Sequence, residues 1–370
     1  MSIMYDKRYE QVAKVLLDHS LEIKEDDLFI ISGSHLALPL IYYVYRYALK
    51  KGAHPHVRLG SEILSEMYYK HAEKHQLDFV SPLDLYEMEH VDARLSIIST
   101  ENTRYMSHVD PERQQIRSRS QKPIHDLFLK RAAENDLRWC VTLFPTNASA
   151  QDAEMSLSDY EEFVLAAAHV NKKNPVQYWK QMGDSLKEKQ TILEKKKTFR
   201  IIAEDTDLTL STAGRKWVCC FGKENFPDGE IFTGPKEEKT EGYIHFSYPL
   251  VYGGRRVDDV KLWFEQGRVV KATAASGQDF LDAMLDMDDG ARILGEFAFG
   301  TNKGIKEYTK NILFDEKIGG TIHLAIGSGY PETGSTNESS LHWDMVCDMR
   351  KKGEILADDE RIYRNGSFLV

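Results

Sequence analysis

Two apolar runs in the second half of the chain each contain one residue that could do chemistry. Glu296 lies in ARILGEFAFG and His323 lies in TIHLAIG, where a core strand would normally carry a hydrophobic side chain. On a strand, Glu296 would share a face with Leu294 and Ala298, so its carboxylate should point into the core. A buried carboxylate is very costly unless it is protonated, ion-paired or bound to a cation. Considered alone, Glu296 fits an ion pair equally well, and a histidine bonded to a backbone carbonyl is the simpler explanation for His323.

A third chemical signal is the segment His342-Trp343-Asp344. Side chains two residues apart on a strand leave the backbone on the same face, so His342 and Asp344 converge while Trp343 turns away. An imidazole beside a carboxylate forms either a metal-ligand pair or an acid–base pair. The pattern HxD is weak by itself, because it occurs often by chance.

Two further candidates lie in turns. Glu230 follows the turn Pro227-Asp228-Gly229 and begins a strand, which is a common position for functional carboxylates. Tyr330 lies in the glycine-rich loop GSGYPETG. A structural ion pair is the alternative for Glu230, and an ordinary surface turn is the alternative for Tyr330.

Together these residues supply carboxylate and phenol oxygens and two imidazoles, a ligand set that suits zinc, cobalt or manganese. The candidates are Glu230, Glu296, His323, Tyr330, His342 and Asp344. Their three carboxylates and a bridging hydroxide would balance the charge of two divalent ions. Two ions about 3.5 Å apart can generate hydroxide at neutral pH, polarise a carbonyl and anchor a free amine. The pattern therefore predicts a dinuclear hydrolytic centre.

The first half of the chain reads as helices and strands in alternation. Apolar spacing predicts helices at residues 9–17 and 37–49, and strands at residues 27–32, 54–59, 93–100 and 137–143. Strands separated by helices of about ten to fifteen residues imply βαβ units and a mainly parallel sheet. The turn at Gly33 lacks the GxGxxG pattern, so a dinucleotide site is not favoured.

The sequence changes character near residue 197. Residues 178–197 predict one long charged helix, whose basic run 187–197 is interleaved with glutamates and should face water. Beyond it, short β-rich segments are punctuated by glycine and proline. The predicted strands are 199–203, 207–210, 217–220, 242–249, 257–265, 268–275, 292–298, 321–326 and 341–347, with a helix at 277–285. We expect an α/β N-terminal domain with a mainly parallel sheet at residues 1–197. An α+β, strand-rich C-terminal metal-binding domain should follow at residues 198–370.

The bulk composition limits the classes of function. Hydrophobic residues make up 42% of the chain and charged residues 29%, as in a globular protein. No stretch approaches eighteen uncharged apolar residues, and the N-terminal segment lacks the apolar core of a secretion signal. The formal net charge of −10 disfavours nucleic acid and anionic lipid as partners. The four cysteines form no CxxC pair and argue against a disulfide scaffold, so we predict a cytoplasmic protein.

The candidate residues lie in an ordered series of segments that resembles the M29 metallopeptidase family, the thermophilic aminopeptidases of the T and S types. The series consists of LPLIYYVYRYALKKGAHPHVRL, RWCVTLFPTNASAQDAEMSLSDYEEF, PDGEIFTGP, YPLVYGGRRVDDVKLWFEQGRVV, GARILGEFAFGTN, LFDEKIGGTIHLAIGSGY and LHWDMV. The resemblance implies six metal ligands, namely Glu230, Glu296, His323, Tyr330, His342 and Asp344. It implies zinc or cobalt as the working ions, with manganese or magnesium as alternatives. It also implies a homodimer in which the N-terminal domain encloses the active site of the C-terminal one.

From the residues and the resemblance we expect a metal-dependent aminopeptidase that releases N-terminal residues from short peptides. Glu296 is the expected proton carrier to the leaving amine, because a metal-bound carboxylate beside hydroxide can do this, and Glu230 is the alternative. Two other functions stay open. The same metals could hydrolyse a different amide, or a catalytically inert relative could use the fold to bind peptides. An inert relative would be expected to lack one or more ligands, and all six are present.

Overall fold

The structure is a computed structural model that describes residues 6–252 and 254–370. By packing, the chain divides into two compact units. One unit extends to Trp179 and includes Gly222–Phe226, and the other comprises Lys180–Phe221 and Pro227–Val370. This division describes how the folded chain packs. The domain boundary that the sequence predicts at residue 197 refers to domains that fold or act independently, and it stays a prediction.

Helices and strands follow one another along the described residues. The helices are α1 (Arg8–Val15), α2 (Leu38–Lys50), α3 (Glu62–His71), α4 (Lys74–Leu77), α5 (Pro82–His90), α6 (Pro111–Ser120), α7 (Lys122–Ala133), α8 (Asn147–Asp152), α9 (Leu157–Ala167), α10 (Pro175–Leu193), α11 (Gln278–Leu285) and α12 (Ile312–Asp315). The strands are β1 (Leu28–Ser34), β2 (His54–Gly60), β3 (Ala93–Ile98), β4 (Arg138–Leu143), β5 (Thr198–Ala203), β6 (Thr206–Ser211), β7 (Val218–Cys220), β8 (Asn225–Phe226), β9 (Glu230–Thr233), β10 (Thr240–His245), β11 (Leu250–Tyr252), β12 (Arg255–Val257), β13 (Lys261–Glu265), β14 (Arg268–Thr273), β15 (Leu294–Gly300), β16 (Thr321–Gly327), β17 (His342–Asp348), β18 (Glu354–Ala357), β19 (Glu360–Arg364) and β20 (Ser367–Phe368). Among these residues, no helix combines the length and apolar character needed to cross a membrane.

A parallel sheet of order β2-β1-β3-β4-β8 forms the first unit. Each neighbouring pair in this sheet runs parallel, because the long connections between the strands return the chain in the same direction. Side chains of the central strands form part of the core, and Phe29, Ile31 and Leu95 are fully buried. The sheet confirms the predicted α/β fold of the N-terminal region.

The two main sheets of the second unit are antiparallel and pack face to face, and β11 and β12 form a separate two-stranded sheet. The larger sheet has the order β14-β13-β10-β6-β5-β18-β19-β20, and the smaller sheet has the order β17-β16-β15-β9-β7. Buried side chains of both sheets form one core, in which the rings of Phe199 and Phe297 lie 5.7 Å apart. Burying a side chain of this size stabilises a fold by about 1.5–3 kcal/mol. The strand-rich C-terminal region is therefore confirmed.

The structure differs from the sequence prediction at two predicted elements and at three strands that are not predicted. The long helix ends at Leu193, so the last part of the basic run 187–197 lies beyond it and leads into β5. The single strand predicted at 257–265 is wrong, because a turn at Asp258 and Asp259 divides it between β12 and β13. Asp259 has a φ of 58°, a left-handed value that interrupts an extended strand. Strands β18 to β20 are absent from the sequence prediction and complete the larger sheet.

Candidate metal centre

One face of the smaller sheet carries most of the predicted site. Residues directly opposite each other in an antiparallel pair share a face. Strand β17 places His342 opposite Gly327 of β16, and it places Asp344 opposite Ala325. His323 lies two residues from Ala325 and therefore projects on the same side. The small residues opposite His342 and Asp344 leave room for the imidazole and the carboxylate.

Strand β15 adds Glu296 to this face. Glu296 lies opposite Ala325, whereas Leu294 lies opposite Ile326, on the other face. The expectation that Glu296 shares a face with Leu294 is wrong, because the register shifts between these two residues. An extra residue in one strand reverses which face the following side chains occupy. The expectation that Ala298 lies on the face of Glu296 is confirmed by the same register.

The register shift is built around Gly295. A Cβ at this position would lie 2.2 Å from the carbonyl oxygen of Ser328, so only glycine allows this close approach. The irregularity leaves Leu294 in the hydrophobic core and turns Glu296 toward the site.

Glu296 connects the two imidazoles. Its Oε1 lies 3.2 Å from Nε2 of His323, and its Oε2 lies 3.4 Å from Nε2 of His342. Nε2 of His342 also lies 3.4 Å from Oδ1 of Asp344. The carboxylate side chains of Glu296 and Asp344 are each only 5% exposed. Four of the six predicted residues therefore meet in one largely buried cluster.

Backbone carbonyls orient both imidazoles. Nδ1 of His323 lies 3.1 Å from the carbonyl oxygen of Glu316, and Nδ1 of His342 lies 2.7 Å from that of Ser328. A carbonyl oxygen can only accept, so each Nδ1 carries a proton and donates it. Each Nε2 therefore faces the carboxylates, and it is the nitrogen that a metal ion would use as a ligand once the Nε2 proton has left.

Glu230 reaches the cluster from the first residue of β9. Its Oε2 lies 3.8 Å from Nε2 of His323, and the residue is buried. The preceding turn packs tightly against Asn302, whose side-chain amide donates a 2.7 Å hydrogen bond to the carbonyl oxygen of Asp228. Gly229 has a φ of 125°, and a Cβ there would lie 2.9 Å from that of Asn302. This packing fixes the turn and directs Glu230 toward His323.

Tyr330 lies at the edge of the cluster. Its ring packs edge-on against His342 with a centroid distance of 5.1 Å, and it lies 5.0 Å from the ring of Phe232. Burial, with the nearby carboxylates of Glu296 and Asp344, raises the pKa of the Tyr330 hydroxyl well above its usual value. The phenol is therefore neutral near neutral pH. The structure places Tyr330 beside His342, and its role as a ligand stays a prediction.

Sequence reasoning misses two charged residues of the cluster, Glu316 and Lys317. The Lys317 ammonium donates a hydrogen bond to the Glu316 carboxylate, and its Nζ lies 3.4 Å from Oε1 of Glu230. The available signal is the charged triplet Asp315-Glu316-Lys317 just before the apolar strand β16. A solvent-exposed turn has the same pattern, so the triplet does not reveal that Lys317 is buried.

The cluster attracts positive charge. Burial alone would lower the pKa of His323, but Glu296 raises it to about 9. Burial would likewise lower the pKa of His342, yet Asp344 and Glu296 raise it to about 11. Burial would raise the pKa of Asp344, whereas His342 lowers it to about 2. Each shift has the same meaning, which is that ionised carboxylates at this site favour a cation beside them.

A comparison with protein families identifies the chain. The sequence model of the family described as thermophilic metalloprotease (M29) matches residues 5–368, almost the full length. The chain belongs to this family. The match confirms the resemblance that the sequence motifs indicate, and it confirms that this M29 metalloprotease is an enzyme of the hydrolase class.

Curated relatives of this M29 metalloprotease are named aminopeptidases. Aminopeptidase AmpS of Bacillus subtilis (strain 168) is 33% identical over 266 residues, which are 62% of this chain and 63% of that protein. That alignment spans less than two thirds of the relative. Aminopeptidase 2 of Geobacillus stearothermophilus is 25% identical over 410 aligned positions, which cover 98% of both proteins.

A solved structure of the same fold confirms the fold class. Wild-type AmpT from Thermus thermophilus superposes with a TM-score of 0.84 at 24% sequence identity. The superposition covers 99% of this chain and 100% of that one. The α/β first unit and the strand-rich second unit of this M29 metalloprotease therefore follow a known architecture.

The side chains present fit the divalent metal that an M29 metalloprotease uses. Within the described residues, Oε2 of Glu230 and Oδ1 of Asp344 are buried without a hydrogen-bond partner. Glu296, His323 and Asp344 offer ligand atoms within 4.8 Å of one another, and so do Glu230, Glu316 and His323. Such oxygen and imidazole donors suit a divalent ion.

Proposed function

We propose that this protein is a metal-dependent aminopeptidase that releases N-terminal residues from peptides through a dinuclear metal centre with a bridging hydroxide. One observation carries the proposal. In the buried cluster on the smaller sheet, carboxylate oxygens without hydrogen-bond partners lie beside the Nε2 atoms of two oriented imidazoles. The names of the relatives support the reaction, because both sequence relatives are aminopeptidases.

The arrangement of the donors supports two ion positions. The proposed ligands are Glu230, Glu296, His323, Tyr330, His342 and Asp344. Nε2 of His323 lies between Glu296, at 3.2 Å, and Glu230, at 3.8 Å. We expect zinc or cobalt, with manganese or magnesium as alternatives. Divalent ions bound here would supply an activated water, polarise the scissile carbonyl and anchor the free amine of the substrate.

Glu296 is the proposed proton carrier, with Glu230 as the alternative. The two oxygens of Glu296 lie beside the ligand nitrogens of both imidazoles, so this carboxylate would adjoin an activated water and could take its proton and pass it to the leaving amine. Glu230 has a buried Oε2 that accepts no hydrogen bond among the residues described. Glutamine substitutions separate the two roles. The proton carrier is the residue whose glutamine variant retains metal but loses kcat and the acidic limb of the pH profile.

An assay with free and blocked N-termini tests the reaction. The purified protein should hydrolyse aminoacyl p-nitroanilides and leave the N-acetylated compounds intact, because the free amine is part of the recognition. Activity should vanish on chelation and return with cobalt or zinc. Equal rates on free and blocked substrates would refute the exopeptidase assignment. Full activity in chelator-dialysed protein, with no metal detectable by mass spectrometry, would refute the metal mechanism.

An apolar surface on the first unit supports a homodimer. Ile63 and Leu64 of α3 are 67% and 71% exposed, and Leu83 of α5 is 76% exposed. Large apolar side chains that are exposed in a monomer are often covered in a protein–protein contact. We propose that two copies associate through these helices. Light scattering should give a dimer for the wild type and a monomer for Leu64→Glu combined with Leu83→Glu, and a monomeric wild type would contradict the proposal.

We also propose a cytoplasmic location, with peptides and a second copy of the chain as the partners. All four cysteines lie in the part of the chain that is described, and none of them forms a disulfide. Cysteines that stay reduced are typical of a reducing compartment. The net charge of −10 gives no general attraction to nucleic acid or to anionic membranes. Peptidase activity confined to the membrane or extracellular fraction of cells would contradict this location.

A further inference from the structure

A buried ammonium lies inside the proposed metal centre. Lys317 is only 2% exposed. Its Nζ lies 3.4 Å from Oε1 of Glu230 and donates a hydrogen bond to the carboxylate of Glu316. The same two carboxylates, together with His323, form one of the three sets of side chains whose ligand atoms lie close enough together to hold a single ion. A protein cation therefore already contacts the proposed ligand Glu230 and also Glu316, which is a candidate ligand beyond the six proposed above.

The backbone holds Lys317 in this place. Its N–H donates to the carbonyl oxygen of Phe314, and its own carbonyl accepts from the N–H of Asn302, each at 3.0 Å. The following turn is fixed as well, because the N–H of Gly319 donates to the carbonyl oxygen of Asn302 at 2.9 Å. The ammonium is therefore carried by an anchored segment, and it enters the cluster as part of the fold.

The other end of the cluster has a different set of charges. The ion-pair contacts of Glu296 and Asp344 within the described residues are made to imidazoles. An imidazole is a common metal ligand, so it can share a bound ion with these carboxylates. A lysine ammonium at neutral pH has no lone pair to offer, so it can only compete with the ion.

We propose that Lys317 makes the two ion positions unequal, by competing as a fixed cation for the carboxylates of Glu230 and Glu316. This inference rests on the proposed dinuclear centre. The position at Glu296, His342 and Asp344 fills first. The position at Glu230 and Glu316 binds its ion at least about tenfold more weakly, because ammonium and divalent ion repel each other strongly at contact distance inside a protein. Lys317 thus sets how much free metal the protein needs before the second ion is in place.

Cobalt binding to the full-length, chelator-stripped protein tests the proposal without any activity measurement. Isothermal titration with Co²⁺, followed in parallel by visible absorption, gives the stoichiometry and the two dissociation constants. The test variant is Lys317→Met, which keeps the length of the side chain and removes its charge. The matched control is Lys306→Met, which removes the charge of an exposed lysine in the same unit. Circular dichroism establishes whether each variant is folded.

The expected result is a tight first site and a weaker second site in the wild type and in Lys306→Met. In Lys317→Met the second dissociation constant should fall at least about tenfold while the first changes little. Equal affinities for the two ions in the wild type would overturn the proposal, and so would an unchanged second constant in Lys317→Met. If Lys317→Met does not fold, the wild-type isotherm decides alone. A wild type that binds no Co²⁺ would instead refute the proposed metal centre itself, and this inference with it.

Discussion

Substitutions in the segment His342-Trp343-Asp344 test the site through neighbouring residues with opposite roles. His342 and Asp344 project toward the cluster, whereas Trp343 lies opposite Ile326 and faces the hydrophobic core. His342→Ala removes an imidazole whose Nε2 lies 3.4 Å from both Glu296 and Asp344. Asp344→Ala removes a buried carboxylate oxygen that has no hydrogen-bond partner in the described structure. Each change should therefore remove a ligand.

The size of the effect follows from the charge stabilisation that a bound metal contributes. Such stabilisation amounts to several kcal/mol in the transition state, and each 1.36 kcal/mol corresponds to a factor of ten in rate. Loss of an ion from His342→Ala or Asp344→Ala should therefore reduce hydrolysis by about a thousandfold. Metal content, measured by mass spectrometry on the same samples, should fall in proportion.

Trp343→Phe is the matched control. The indole packs against Tyr252 and Phe280, with ring centroids 5.4 Å and 5.9 Å away. Its Nε1 has no hydrogen-bond partner among the described residues, so phenylalanine loses packing and no hydrogen bond. The free energy of unfolding should fall by about 1–2 kcal/mol in denaturant titrations, with metal content near normal.

The opposite outcome is equally specific. If His342 and Asp344 only pair with each other, both alanine variants should be less stable and yet keep bound metal and activity. Stoichiometric metal in purified His342→Ala and Asp344→Ala would refute the assignment of this pair as ligands. Loss of metal from Trp343→Phe, with its fold intact, would show that metal content does not report on ligand identity.

Two further predictions concern stability and domain structure. Burial alone would raise the pKa of Glu237, but hydrogen bonds from Thr336 and the ion pair with Arg215 lower it to about 2. The stability that ionised Glu237 contributes is therefore present above about pH 4.5 and is lost as the pH falls toward 2. Glu237→Gln should reduce the free energy of unfolding by about 1–3 kcal/mol near neutral pH, and it should make the decline of that free energy between pH 4.5 and 2 less steep. Urea titrations measure both, and a decline as steep as that of the wild type would contradict the prediction. Limited digestion with trypsin should cut the chain first at residues 194–197, because α10 ends at Leu193 and the predicted domain boundary follows it. Mass spectrometry of the fragments locates the first cut, and a first cut elsewhere would count against that boundary.

Local periodicity explains how much of the molecule could be predicted. The apolar runs that become β1, β15 and β16 are recognisable because burial on both faces of a strand requires consecutive hydrophobic residues. Alternation along a strand likewise places His342 and Asp344 on one face, and the structure agrees. Such inferences need only the geometry of neighbouring residues. They hold wherever a strand is regular.

Long-range packing explains what the sequence does not reveal. The face of Leu294 depends on the irregularity at Gly295, which forms because the carbonyl of Ser328 approaches closely. Helix α10 ends at Leu193, whose side chain lies in the core of the second unit among residues that are distant in sequence. In the same way, burial of Lys317 depends on contacts with Glu230, 87 positions earlier in the chain. None of these contacts has a local signature.

The site depends on register as well as on its charged residues. Glu230 lies opposite Gly300 in the pairing of β9 with β15, so a slip of one residue would turn its carboxylate to the other face. A Cβ at residue 300 would lie 2.3 Å from the carbonyl oxygen of Ile318 and 2.9 Å from that of Glu316. The segment before β16 therefore lies directly against Gly300, and this close approach brings the ammonium of Lys317 to Glu230. The strand register and the absence of a side chain at Gly300 thus determine where the proposed ligand Glu230 and the neighbouring ammonium of Lys317 lie.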